Sequence, residues 1–141
     1  NPEQWTKLVS YPDMATSATE EILRYESSLI ATYRTAFNDV EVGGQRIKAG
    51  ERVLALLAAG NRDPGVFPQP DVFDISRQGA HHLAFGGGIH FCVGAELARL
   101  EGDVAFRALA ERLPNLRTDT SKPLWRPGFM FRGLEQLNIS W

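Results

Sequence analysis

The chain has 141 residues, 43% apolar and 23% charged, which suits one folded domain and excludes wholesale disorder. Fifteen Lys and Arg against 17 Asp and Glu give a net charge of −2, without the basic excess of a general nucleic-acid binder. The longest apolar run, Val53–Ala59, is far shorter than the roughly 20 residues of a membrane span. The single cysteine, Cys92, excludes an intramolecular disulfide and a Cys-rich zinc site. No signal peptide is visible, and the opening on Asn1 reads as a cut within a longer protein.

Residues 1–15, with Pro2 and Pro12, predict a short helix and a loop. Ser17 and Glu20 have the spacing of a capping box. Ala18, Ile22, Tyr25 and Leu29 then recur at helical period, which predicts a helix over about 17–27. Leu29–Phe37 is rich in Thr, Tyr, Ile and Phe. Val40–Val42 and Arg46–Lys48 flank Gly43-Gly44-Gln45, a hairpin signal. Arg52–Leu57 is a strand candidate, and Leu56–Asn61 has the pattern of a short helix. Residues 61–91 lack a period, and Phe67-Pro68-Gln69-Pro70 forbids helix. So long an irregular stretch is unusual in a compact domain and is often functional. From Val93 to Leu113 the helical period returns. Val93, Leu97, Leu100, Val104 and Ala108 share one face, and Pro114 ends the run. The tail from Leu116 predicts a hairpin and a terminal strand. The fold class is therefore α+β, mainly α. Two principal helices, about 17–27 and 93–112, pack with small hairpins near 30–57 and 116–141 around an irregular middle.

Cys92 stands between Gly86-Gly87-Gly88 and the long helix. A helix N-terminus presents free N–H groups and a partial positive charge, both of which favour an anionic sulfur. The glycines let the backbone approach something flat and bulky. Two readings stand: a buried free cysteine packed as a small hydrophobe, or a metal ligand or nucleophile. His90, two residues earlier, is a candidate base for a Cys–His pair, a hydrolase or redox-thiol reading. His81 and His82 read as loop residues. Three His and one Cys have no familiar zinc spacing.

The run Phe85-Gly86-Gly87-Gly88-Ile89-His90-Phe91-Cys92-Val93-Gly94 resembles the haem-binding signature of the cytochrome P450 monooxygenases, F-x-x-G-x-[RH]-x-C-x-G, at every specified position. Glu21-Ile22-Leu23-Arg24 matches the family's upstream E-x-x-R, and Asp74-Ile75-Ser76-Arg77 looks like the end of its irregular meander. The resemblance is to the C-terminal third of the soluble bacterial type and spans residues 1–141.

The resemblance implies haem b as cofactor, with Cys92 as the thiolate on iron. Such a donor pushes electron density to the metal and favours O–O cleavage. It implies that Phe85 shields the sulfur and that Gly86, Gly88 and Gly94 let loop and helix approach the macrocycle. His90 and Arg34 would bond haem propionates, charge-assisted contacts. Glu21, Arg24 and Arg77 would form a buried ion-pair triad of structural role. Phe129-Met130-Phe131 would touch substrate at a hairpin tip or pack in the core. Arg99 and Arg107 would dock an acidic electron donor or line a solvated helix face. The implied partners are a ferredoxin-type donor and a small organic substrate, in the cytoplasm, with no nucleic acid and no membrane span.

The long distal helix of the family, with its acid–alcohol pair, and the loops that close the substrate pocket are not in this sequence. The expected activity, insertion of one oxygen atom from O2 into an organic substrate, is that of a parent protein. This stretch alone is expected to be inactive, because a water-excluding site is incomplete without a distal wall. The alternative is a truncated, non-catalytic haem-binding or interaction module.

Overall fold

The computed structural model describes residues 1–79, 81–119 and 123–141. The elements are α1 (Pro2–Ser10), a 3₁₀ turn (Pro12–Met14), α2 (Ala15–Tyr25), β1 (Thr32–Thr35), β2 (Val40–Val42), β3 (Gln45–Ile47) and β4 (Arg52–Ala55). They continue with α3 (Leu57–Gly60), a 3₁₀ turn (Gly88–His90), α4 (Ala95–Arg112), β5 (Arg117–Asp119) and β6 (Asn138–Ser140). This is the mixed architecture expected, with two main helices, small antiparallel ladders and an irregular middle.

Pro2 opens α1, where its missing N–H costs nothing. The 3₁₀ turn at Pro12–Met14 runs straight into α2, so that helix begins two residues before the expected start. The capping box does not form. Ser17 is already inside the helix, and its hydroxyl donates back to the Met14 carbonyl at 3.0 Å. Glu20 is thereby released for other partners. The helix ends at Tyr25, and Glu26 closes it on the Ile22 carbonyl.

The ladders are local. β1 pairs antiparallel with β4, and the β2–β3 hairpin lies between them in sequence. Gly43 and Gly44 turn that hairpin with φ of 57° and 76°, the two left-handed residues of a type I′ turn. The strand expected over 52–57 stops at Ala55, and α3 takes over at Leu57. β5 pairs with β6. Residues 120–122, within the expected C-terminal hairpin, lie outside the described residues.

The core lies between α1, α2, α4 and the end of the irregular segment. It gathers Leu8, Ala15, Ala18, Ile75 and Ala110, with Trp5, Val9, Met14, Phe73 and Phe106 packed against them. The apolar stripe that the helical period picks out does not seat α4. Val93, Leu97, Leu100 and Val104 are all exposed. The face turned to α2 is instead the small one. A Cβ on Gly102 would stand 2.5 Å from the Thr19 Cγ2. Helix axes approach that closely only where a side chain is missing, so size rather than hydrophobicity selects the buried face.

Candidate functional site

The ion-pair triad ties α2 to the irregular segment. Arg24 Nε lies 2.7 Å from Glu21 Oε2 and Arg24 Nη2 lies 2.8 Å from Oε1, with both side chains about 2% exposed. Arg77 Nε reaches the same carboxylate at 3.2 Å, and the Asp74 amide donates to it at 2.9 Å. The remaining protons of Arg24, and three of those of Arg77, go to carbonyls. Arg24 serves Asn61, Pro70 and Val72, and Arg77 serves Pro68, Gln69 and Val72. Two cations on one buried anion would be costly alone. Backbone carbonyls of a segment with no ladder of its own complete the donor accounting. Burial pushes the Glu21 carboxyl up, but bonds from Arg24, the Asp74 amide and Arg77 together hold it below its usual 4.5.

The cysteine loop is held by its own backbone. The Cys92 amide donates to the Phe85 carbonyl at 2.9 Å, and the Ala95 amide donates to the Cys92 carbonyl at 3.2 Å. Gly86 and Gly88 take φ of 71° and 63°, which a side chain would strain. Gly94 caps α4, and a Cβ there would lie 3.9 Å from the sulfur. The thiol is exposed, so the reading of Cys92 as a buried small hydrophobe does not hold. Helix α4 starts three residues after it rather than at it. Ile89 and Val93 beside it are fully exposed. His90 ends the 3₁₀ turn on the same loop and is exposed.

Arg34 lies on β1, and its guanidinium bonds the Thr32 hydroxyl at 3.1 Å and the Tyr33 carbonyl at 2.8 Å. Both acceptors are neutral, so among the described residues no carboxylate matches its charge. At the C-terminal end, Phe129 and Phe131 are exposed and Met130 is half-buried, so the two rings are not packed in the core of this chain. Arg99 and Arg107 are engaged rather than free. Arg107 pairs with Asp13 at 2.6 Å, and Arg99 pairs with Glu20 and Glu96 at 2.7 and 2.9 Å.

Glu20 and Arg99 are 79 positions apart, and no linear pattern announces their meeting. His82 joins them. It is a loop residue, as expected, and its side chain is only 5% exposed, with Nε2 3.2 Å from Glu20 Oε2.

These residues fit one kind of group. Among the described residues no three His, Cys, Asp or Glu converge on a point, so a metal held by side chains alone has no site. A single exposed thiol on an open, apolar, glycine-relieved surface fits a flat prosthetic group that brings its own metal donors. The unmatched Arg34 suits an anionic edge of such a group. Among the described residues no helix is long and apolar enough to cross a membrane.

Comparison with known proteins agrees with this geometry. The family model described as Cytochrome P450 matches residues 13–122. The chain is 46% identical over 140 residues to the biotin biosynthesis cytochrome P450 of Bacillus subtilis, covering 99% of this chain and 35% of that protein. It is 48% identical over 144 residues to the cytochrome P450 monooxygenase PikC of Streptomyces venezuelae, covering 100% of this chain and 35% of that protein. The crystal structure of P450BioI with an acyl carrier protein carrying hexadec-9Z-enoic acid superposes with a TM-score of 0.95 at 46% identity. That match covers 100% of this chain and 36% of that one. The chain thus spans about 35% of the length of these curated relatives. With the signature loop, the buried triad and the fold all in agreement, the chain belongs to the cytochrome P450 family, whose cofactor is haem.

Proposed function

We propose that this chain is the sulfur-side haem-binding portion, residues 1–141, of a monooxygenase that inserts one oxygen atom from O2 into an organic substrate. The observation that carries the reading is the exposed Cys92 thiol, presented on a glycine-relieved loop just ahead of α4. Haem bound there would supply oxygen activation, with electron donation from a thiolate favouring O–O cleavage.

The residues of the chain take distinct parts. Cys92 supplies the sulfur ligand, three residues ahead of the first residue of α4, whose N-terminal dipole favours an anionic sulfur. Phe85 covers the sulfur side of the loop. Gly86, Gly88 and Gly94 keep the approach free of side chains. His90 and Arg34 take the propionates, charged donors for charged acceptors. The Glu21–Arg24–Arg77 triad holds α2 to the segment that leads into the loop. The names of the relatives support the activity. The substrate is a small organic molecule, the electron donor a ferredoxin-type protein and the compartment the cytoplasm.

The test is a haemin titration of the chain followed by reduction under carbon monoxide. A strongly red-shifted Soret band that is lost in Cys92→Ala is the expected result. A well-folded chain whose spectrum is the same with and without the thiol overturns the assignment of Cys92.

A further inference from the structure

The Phe85 ring has a cluster of charged neighbours that the proposed haem reading does not use. Arg99, on α4, lays its guanidinium 4.9 Å from the centre of the ring. The same guanidinium is fixed from the other side by Glu20 of α2, with Nε to Oε1 at 2.7 Å and Nη2 to Oε2 at 3.3 Å. The His82 ring stands 5.8 Å from the Phe85 ring, tilted by 49°. Its Nδ1 accepts the Ala84 N–H at 3.2 Å, which leaves the ring proton on Nε2. That Nε2 is buried, 3.2 Å from Glu20 Oε2, but lacks the alignment of a hydrogen bond. The contact is therefore one of position and charge. Phe85 in turn donates nothing to this cluster. Its carbonyl accepts the Cys92 amide at 2.9 Å.

We propose that Glu20, His82 and Arg99 are positioning residues for the Cys92 sulfur, acting by clamping Phe85 and hence the carbonyl that anchors the Cys92 amide. The linkage has few degrees of freedom. A planar guanidinium stacked on a ring and paired at two points with a carboxylate resists both tilt and slide, which a lysine ammonium does not. Side chains of two helices, α2 and α4, thus set the height of the sulfur loop. This inference rests on Cys92 being the thiolate ligand of haem.

The experiment uses the haem-loaded protein made from its complete coding sequence. The readouts are the ferrous–CO absorption band, the rate at which its thiolate-type form converts to the thiol-type form in mild urea, and far-UV circular dichroism. Arg99→Lys and Glu20→Gln are expected to speed the conversion about two- to fivefold, the range of a partly exposed cation–π stack, with helical signal unchanged. His82→Asn, whose amide oxygen replaces Nδ1 as acceptor, stays nearer wild type than His82→Ala. Arg107→Lys, a paired arginine on the same helix with Asp13 as its partner, leaves the rate as in wild type. Rates for Arg99→Lys and His82→Ala equal to wild type overturn the inference. So does an equal acceleration in Arg107→Lys, because any loosening of α4 would then suffice. A wild-type protein with no thiolate-type band at all is a different failure, that of the haem assignment itself.

Discussion

Glu21 and Arg24 meet face to face one turn apart on α2, Nε to Oε2 at 2.7 Å and Nη2 to Oε1 at 2.8 Å, with both side chains out of solvent. An i,i+3 pair on a helix surface stabilises by only about 0.2–0.5 kcal/mol. Here the pair is the hub for three carbonyls and an amide of the irregular segment. Removing one partner therefore leaves a buried charge uncompensated. Glu21→Ala or Arg24→Ala is expected to cost about 3–5 kcal/mol in urea unfolding. Arg77→Ala, at the more exposed corner, costs less. A loss below about 1 kcal/mol for Arg24→Ala contradicts this account of the segment.

The contact of α2 with α4 predicts an unusual response to alanine. In a helix interior Gly→Ala normally gains close to 1 kcal/mol. At Gly102 the added Cβ meets Thr19 Cγ2 at 2.5 Å and Oγ1 at 2.9 Å. Thr19 is buried and bonded to the Ala15 carbonyl, so it has little room to yield. Gly102→Ala is expected to destabilise by about 1–3 kcal/mol. Thr19→Ala in the same chain recovers part of the loss, and a double-mutant cycle by thermal unfolding reads that coupling.

Acid should unfold the chain in two stages. Burial pushes His82 below its usual 6.5, outweighing the pull of Glu20, and the triad holds Glu21 below its usual 4.5. In both cases the unfolded chain binds the proton more readily than the folded one, so stability rises with pH between the folded and unfolded values. Stability is full above about 6.5. It falls first as His82 protonates in the unfolded chain, then again below 4.5 as Glu21 does. His82→Asn is expected to flatten the first fall and leave the second. Urea midpoints across pH 4–8 measure this, and an upper fall that survives the substitution refutes the role of His82.

The exposed stripe of α4 predicts a solution property. Val93, Leu97, Leu100 and Val104 present a continuous apolar face at helical spacing. A contiguous face of this kind promotes association. Leu97→Glu with Leu100→Lys is expected to lower the light scattering of the 141-residue chain. Stability should change by no more than about 0.5 kcal/mol, as at other exposed sites. A large loss of stability instead would mean that the face is packed in the chain itself.

Several features were legible in the residues. Gly43-Gly44 between alternating strands specified a hairpin because two consecutive left-handed positions favour a primed turn. The prolines at 68 and 70 specified an irregular middle because neither can enter a helix interior. The loop from Phe85 to Gly94 was legible as a match to a family signature, and the positive φ at Gly86 and Gly88 gives two of its glycines a backbone reason. The spacing of Glu21 and Arg24 was legible too, but not its burial.

The sequence by itself determined which residue types were available and roughly where helix, hairpin and irregular backbone lie, since those depend on neighbours within a few positions. The bounds of α2, β4 and α4 differ by two residues from the pattern. Only the tertiary structure decided which face of α4 is buried, because that choice follows from how closely Gly102 lets α2 approach. It alone converted Ser17 from a cap to an interior residue, once the 3₁₀ turn before it had extended the helix. It alone brought Glu20 to Arg99 and His82, because contacts between side chains 62 and 79 positions apart arise from packing that no local pattern encodes.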